Sequence, residues 1–222
     1  APPLVCLTFD DGYRNFHDEV LPILRRHRAK ATAFIATGYV GSDRPLPFDR
    51  WGTRHADRAA PAAWQPMGWR EIDQCVDSQL VEVGGHSHLH VNAASADSAL
   101  LCEEAARSRE ILLRRLGEAH AVSYAYPYGS RRLGQVNAAY VEAVKASGYR
   151  LAVSTNPGLV DLRSDPYELP RVEVYRTDGP AAVRAKVAGS LAPYLVTDRL
   201  RRSRRDSDVD IPAHARAAHP AR

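Results

Sequence analysis

The stretch LTFDDGYRNF, Leu7 to Phe16, decides how the chain is read. Apolar and β-branched residues lead into two adjacent aspartates and a glycine. The pattern reads as a short buried strand that ends on Asp10 and Asp11. Adjacent carboxylates at such a place repel each other and lose hydration, a cost that a cation would offset. On its own, Asp-Asp-Gly also reads as a plain turn.

Outward from this stretch, strand and helix signals alternate. PLVCLTF is followed by HDEVLPILRRHR, which has Val20, Leu21, Ile23 and Leu24 at helical spacing. KATAFIAT returns to strand, and LVEVGGH is a further strand. SADSALLCEEAARSREILLRRLG reads as a helix capped by Ser95 and stopped by Gly117. AVSYAYPYG is a strand ending in a proline turn. A helix over QVNAAYVEAVKASGY, strands over RLAVST and YELPRVEVY, and a last helix over GPAAVRAKVAGSLAPYL complete the order. Repeated β-then-α units imply parallel strands joined by crossover helices. The 222 residues suit one α/β domain. The domain is expected over 1–197, with an Arg-rich, disordered tail over 198–222.

The rest of the composition mainly excludes. No apolar run is long enough to span a bilayer, and the start shows no signal-peptide pattern. The compartment stays open between cytoplasm and, if a leader has been removed, envelope or exterior. Three widely spaced cysteines, Cys6, Cys75 and Cys102, argue against a disulfide framework and are expected as buried free thiols. The net charge of +4 is concentrated in the tail, which has no aromatic interleaving, so no nucleic-acid partner is expected. The stretch 38–68 is too long for an ordinary connection and reads as an insertion walling a groove, with Trp51 or Trp64 as candidates.

Three strand ends carry the chemistry: Asp10-Asp11-Gly12; GGHSHLH with His86, His88 and His90; and YPYG with Tyr126, Pro127, Tyr128 and Gly129. In a parallel α/β barrel these ends share one face. His86 and His90 are four apart, so one tight helical turn would aim both imidazoles at one point. Two histidines and one aspartate form a catalytic zinc-type ligand set with open positions. The other aspartate is then free to act on a water. The same ligands suit Fe(II).

These motifs resemble those of the polysaccharide deacetylases, carbohydrate esterase family four (the NodB-homology domain), in its YPYG-type subgroup. The resemblance runs from Leu4 to Val174 and includes KATAFIATGYVG, MGWREIDQCVDSQLVEVGGHSH and ELPRVEV. It implies a distorted (β/α) barrel of about seven repeats, with the active site at the strand C-terminal face. It also implies a bacterial hydrolase that removes N-acetyl groups from an N-acetylglucosamine glycan. Asp11, His86 and His90 would hold a divalent metal, foremost Zn2+, with Co2+ or Ni2+ as substitutes. Asp10 would be the general base. Ser87 would hold the histidine loop, and the Tyr128 N–H would face the oxyanion. His88 falls on a variable position of the motif. Tyr126, Pro127, Tyr128 and Trp69 are the candidates for substrate contact.

Two departures stand out. The family's arginine two positions before the motif proline is Ala125 here, and Arg171 is the expected replacement. The late Leu-x-His that would protonate the leaving amine is missing: His214 and His219 lie in the tail, and His17 is expected on an exposed helix face. The alternatives are an O-acetyl esterase on xylan-like polysaccharide, a small-molecule amidohydrolase, and an inactive carbohydrate-binding relative.

Overall fold

The computed structural model describes residues 4–190. Six parallel strands follow one another across a single sheet in chain order. They are β1 (Leu7–Phe9), β2 (Ala31–Ile35), β3 (Val81–Gly85), β4 (Ser123–Ala125), β5 (Leu151–Pro157) and β6 (Leu169–Arg171). Because the winding never reverses, every crossover lies on the same side and the sheet curls into part of a barrel. Against the expected distorted barrel of about seven repeats, six strands stand among the described residues. The last link is also incomplete, because 158–168 makes turns and no helix before β6.

The helices are α1 (Leu21–His27), α2 (Arg50–His55), α3 (Trp69–Asp77), α4 (Ser98–Leu116), α5 (Ala138–Ala146) and α6 (Pro180–Val187). A π-helical turn, Phe16–Val20, leads into α1. The cap of α4 is Asp97, whose side chain accepts from the Leu100 N–H, and not Ser95 as expected. A carboxylate here also meets the positive end of the helix dipole. Ser95 instead donates back to the Asn92 carbonyl.

Strand alternation sorts the core into layers. Ala31, Ala33 and Ile35 face outward with Leu21, Leu24, Ile72 and Leu112. A second outer cluster holds Tyr124, Tyr126, Tyr140 and Tyr149 against Leu101 and Ala105. Phe34, Ala125 and Val153 form a small separate cluster, with Leu169 packed against it. Gly84 is required beside that cluster: a Cβ there would sit 2.6 Å from the Phe34 ring.

Two expectations about burial are corrected. β1 is a three-residue edge strand rather than a buried one, with Leu7 41% exposed, because among the described residues it pairs only with β2. Cys6 and Cys102 are exposed; Cys75 alone is buried, and burial pushes its thiol up to about 12. All three thiols are free.

The chain divides into compact units at Glu173/Val174. The first holds the whole sheet. In the second, described to Ser190, Asp178 accepts from both the Tyr175 N–H and the buried Lys186 ammonium. The expected 197/198 boundary, the tail, His214 and His219 lie outside the described residues. No described helix is long and apolar enough to cross a membrane.

Candidate active site

The chain leaves β1 through two left-handed residues, Asp11 (φ 74°) and Gly12 (φ 78°). That kink separates the two carboxylates. Asp11 Oδ1 lies 3.2 Å from His86 Nε2 and 3.4 Å from His90 Nε2. Asp10 points elsewhere, into a two-pronged pair with Arg171 at 2.8 and 2.7 Å. Arg171 also donates to the Ser154 carbonyl (2.9 Å) and to Thr8 Oγ1 (3.2 Å). It thus ties β6 to β1 across the gap between the first and last strands.

The histidines converge by a route different from the expected helical turn. The loop after β3 runs beside the end of β2: His86 N–H donates to the Ile35 carbonyl, and Thr37 and Gly38 N–H donate to the Ser87 and His88 carbonyls. Left-handed kinks at Ser87 (φ 60°) and His90 (φ 57°) then bring the imidazoles together. Ser87 Oγ accepts from the His90 N–H at 2.7 Å. The buried Glu104 of α4 accepts from the His88 and Leu89 N–H groups at 3.0 and 2.6 Å. His88 turns away from the cluster toward Thr37 Oγ1 (3.1 Å).

Burial and charge set the protonation states. Burial raises the Asp10 carboxyl, but the hydrogen bond and charge of Arg171 outweigh it and hold it below the usual carboxylate range. Burial likewise raises Asp11, and its contacts with both histidines carry it well below that range. Burial lowers His86, yet Asp11, Asp10 and the Ala125 carbonyl bring it above its ordinary value. For His90 burial prevails over the contact with Asp11, and the imidazole falls below its ordinary value.

The donor set suits a divalent cation. Asp11, His86 and His90 each offer one ligand atom, all within 4.8 Å of one another. Ligands about 2.1 Å from a tetrahedral centre stand about 3.4 Å apart, and the two separations between Asp11 and the histidines, 3.2 and 3.4 Å, match that spacing. His86 Nδ1 is 2.7 Å from the Ala125 carbonyl; donating there leaves Nε2 bare to ligate. The residues fit such a group.

The YPYG turn completes the face. Tyr128 adopts φ 60°, and among the described residues its N–H has no protein acceptor. Gly129 is required (φ +65°), because a Cβ would meet the Thr155 nitrogen at 2.7 Å. The Thr155 hydroxyl donates to the Tyr128 carbonyl. The Tyr128 ring meets His90 edge-on at 4.7 Å.

Several expected residues lie elsewhere. Tyr126 is fully buried and donates to the Tyr167 carbonyl, so its ring is core and not a substrate contact. Pro127 is buried in its turn. Trp69 packs against the first core cluster under the Arg115 guanidinium, 4.8 Å away, and is a packing residue. Trp51 leans on His55 and Trp64 closes the insertion on itself. The insertion residue that reaches the site is Phe48, stacked on His90 at 3.6 Å. His17 is only 24% exposed and pairs with Asp18, which corrects the exposed face expected for it. Sequence reasoning missed Phe48 and Glu104. Glu104 had a signal: it interrupts the apolar stripe Leu101, Ala105, Ser108, Ile111, Leu112 of α4.

A curled parallel sheet with an Asp-His-His cluster and an arginine-held carboxylate at its C-terminal face defines a hydrolase-type (β/α) barrel. The chain belongs to the polysaccharide deacetylase family, whose model matches residues 1–152. It is similar to the poly-β-1,6-N-acetyl-D-glucosamine N-deacetylase of Escherichia coli (strain K12), 30% identical over 197 residues covering 76% of this chain and 27% of the relative. It is also similar to the putative polysaccharide deacetylase YxkH of Bacillus subtilis (strain 168), 24% identical over 170 residues covering 77% of this chain and 51% of the relative. The chain therefore spans between about a quarter and a half of the length of these relatives. Among solved structures, the Streptococcus pyogenes deacetylase PplD in complex with acetate superposes with a TM-score of 0.67 at 22% identity, over 84% of this chain and 71% of that one. IcaB from Ammonifex degensii superposes at 0.65 and 25% identity, over 83% and 72%.

Proposed function

We propose that this chain removes N-acetyl groups from an N-acetylglucosamine-containing glycan, releasing acetate and a free amine. One observation carries the reading: the paired aspartates have separate partners, Asp11 with two histidines and Asp10 with Arg171. The family membership and the printed activity of the Escherichia coli relative support the substrate class.

A divalent cation held by Asp11, His86 and His90 would supply Lewis acidity toward a water and the amide carbonyl. Asp10, kept ionised by Arg171, accepts the proton of the attacking water. The Tyr128 N–H, fixed by Pro127 and Gly129, donates to the oxygen that becomes an oxyanion. The carbon–nitrogen bond breaks as the carbon–oxygen bond is kept. No Leu-x-His stands among the described residues, and the proton taken up by Asp10 passes to the departing amine.

The test is mass spectrometry on acetylated glycans, β-1,6-linked N-acetylglucosamine oligomers and acetylated xylan among them, with and without chelator. Chelator-sensitive loss of one acetyl mass from the amino sugar is expected. Loss from xylan alone would move the assignment to an O-acetyl esterase. Oligomer binding without turnover in the presence of zinc would leave only a carbohydrate-binding role.

A further inference from the structure

The two histidines of the cluster are held in unlike ways. His86 has the outer partner that a ligating imidazole normally has, the Ala125 carbonyl on its Nδ1. His90 is also buried, and its Nδ1 has no hydrogen-bond partner among the described residues. Ser87 fixes only the His90 backbone. What constrains the ring is aromatic: Phe48 lies nearly parallel on its face, 3.6 Å away at 14°, and Tyr128 and His86 meet it edge-on.

Phe48 is itself well held. The Tyr39 ring meets it edge-on at 5.9 Å, and the Tyr39 hydroxyl donates to the Leu89 carbonyl inside the histidine loop. The far end of the insertion is tied to the aspartate motif, with Met67 N–H on the Gly12 carbonyl and Arg14 N–H on the Gln65 carbonyl. Gly41 N–H joins the two ends through the Met67 carbonyl. The 38–68 segment thus bridges the two motifs that supply the cluster, and Phe48 stands where it crosses His90.

We propose that Phe48 is a positioning residue for His90, its stacked ring taking the place of the outer hydrogen bond that His86 has and His90 lacks. The inference rests on the reading of Asp11, His86 and His90 as a metal centre. A flat ring on one imidazole face limits rotation about the Cβ–Cγ bond and keeps Nε2 aimed at Asp11. An apolar side chain of similar volume fills the space without fixing the plane. Among the imidazoles of the cluster the Phe48 ring stacks on His90, so its effect should pass through His90.

The test is zinc affinity of the full chain, measured by competition with a chromophoric chelator, with Co2+ absorption as a second readout. Phe48→Leu should weaken zinc binding at least tenfold, the size seen when outer-shell partners of ligating histidines are lost. It should also alter the Co2+ bands. Phe48→Tyr and Phe48→Trp should stay within threefold of the parent. In a His90→Ala background, Phe48→Leu should have no further effect. Parent-like affinity in Phe48→Leu overturns the proposal, as does an equal loss in the His90→Ala background, which would mark a general packing role. Should Phe48→Leu not fold, Phe48→Met carries the same comparison. A parent chain that binds neither zinc nor cobalt refutes the metal centre itself, and the positioning role with it.

Discussion

Arg171→Met tests the tie between β6 and β1 that holds Asp10. The substitution keeps the aliphatic bulk and removes the guanidinium. Asp10 then loses both charged hydrogen bonds, and the Ser154 carbonyl and Thr8 hydroxyl lose their donor. Breaking one side of a fully buried pair costs about 3–5 kcal/mol. Here the side chains are 14% and 28% exposed, which favours the lower end, about 3 kcal/mol. For a chain of this size that corresponds to a Tm lower by about 6–12 °C. Circular dichroism at pH 7 measures it. A cycle with Asp10→Asn separates the pair from its surroundings and should show a coupling of about 2 kcal/mol. The kinetic effect has a definite sign. Without Arg171, burial and Asp11 both raise the Asp10 carboxyl. The acid limb of the pH–rate profile should therefore move to higher pH. A Tm change below about 2 °C, together with an unmoved acid limb, would refute the account of Asp10 as a carboxylate kept ionised by its arginine.

The same pair should show in acid. Asp10 has a folded-state value below its unfolded one, so its contribution is present above about pH 4 and lost as the pH falls. The stability gap between the parent and Arg171→Met should accordingly narrow between pH 5 and pH 2 in urea titrations. Glu104→Ala should cost about 2 kcal/mol by leaving the His88 and Leu89 N–H groups unpaired, whereas Glu104→Gln keeps an acceptor and most of the stability. Equal urea midpoints for the two variants would count against that tether. Gly129→Ala should lower stability by about 1–3 kcal/mol, since its left-handed φ and the nearby Thr155 nitrogen leave no room for a Cβ. It should reduce kcat more than KM by displacing the Tyr128 N–H, and an unchanged kcat would remove that amide from the reaction.

Most of what was legible in the sequence lies next to a strand end. Asp10, Asp11, His86 and Tyr128 each follow a strand within a few residues, so a parallel β/α order alone gathers them. The Asp10–Arg171 pair spans 161 residues, and no local pattern announces it; only the family likeness pointed to Arg171. Tyr126 was readable as core, because it shares a strand face with Tyr124, while Ala125 takes the opposite side. The histidine loop was foreseen in content but not in shape, because left-handed φ at a serine and a histidine leaves no mark in composition. Phe48 was one aromatic among several in the insertion, and nothing in its neighbours separates it from Trp51 or Trp64.

The seam between β1 and β6 also sets an order in time. Asp10 leaves the ribosome 161 residues ahead of its arginine, which follows only after nearly the whole first compact unit has been made. Until then the carboxylate pair exists without the charge that separates its members. The family match ends at residue 152, short of β6. A chain trimmed to that limit would keep Asp11, His86, His90 and Tyr128 and lose the group that holds Asp10. The stretch that the family model matches is thus shorter than the stretch needed to finish the site.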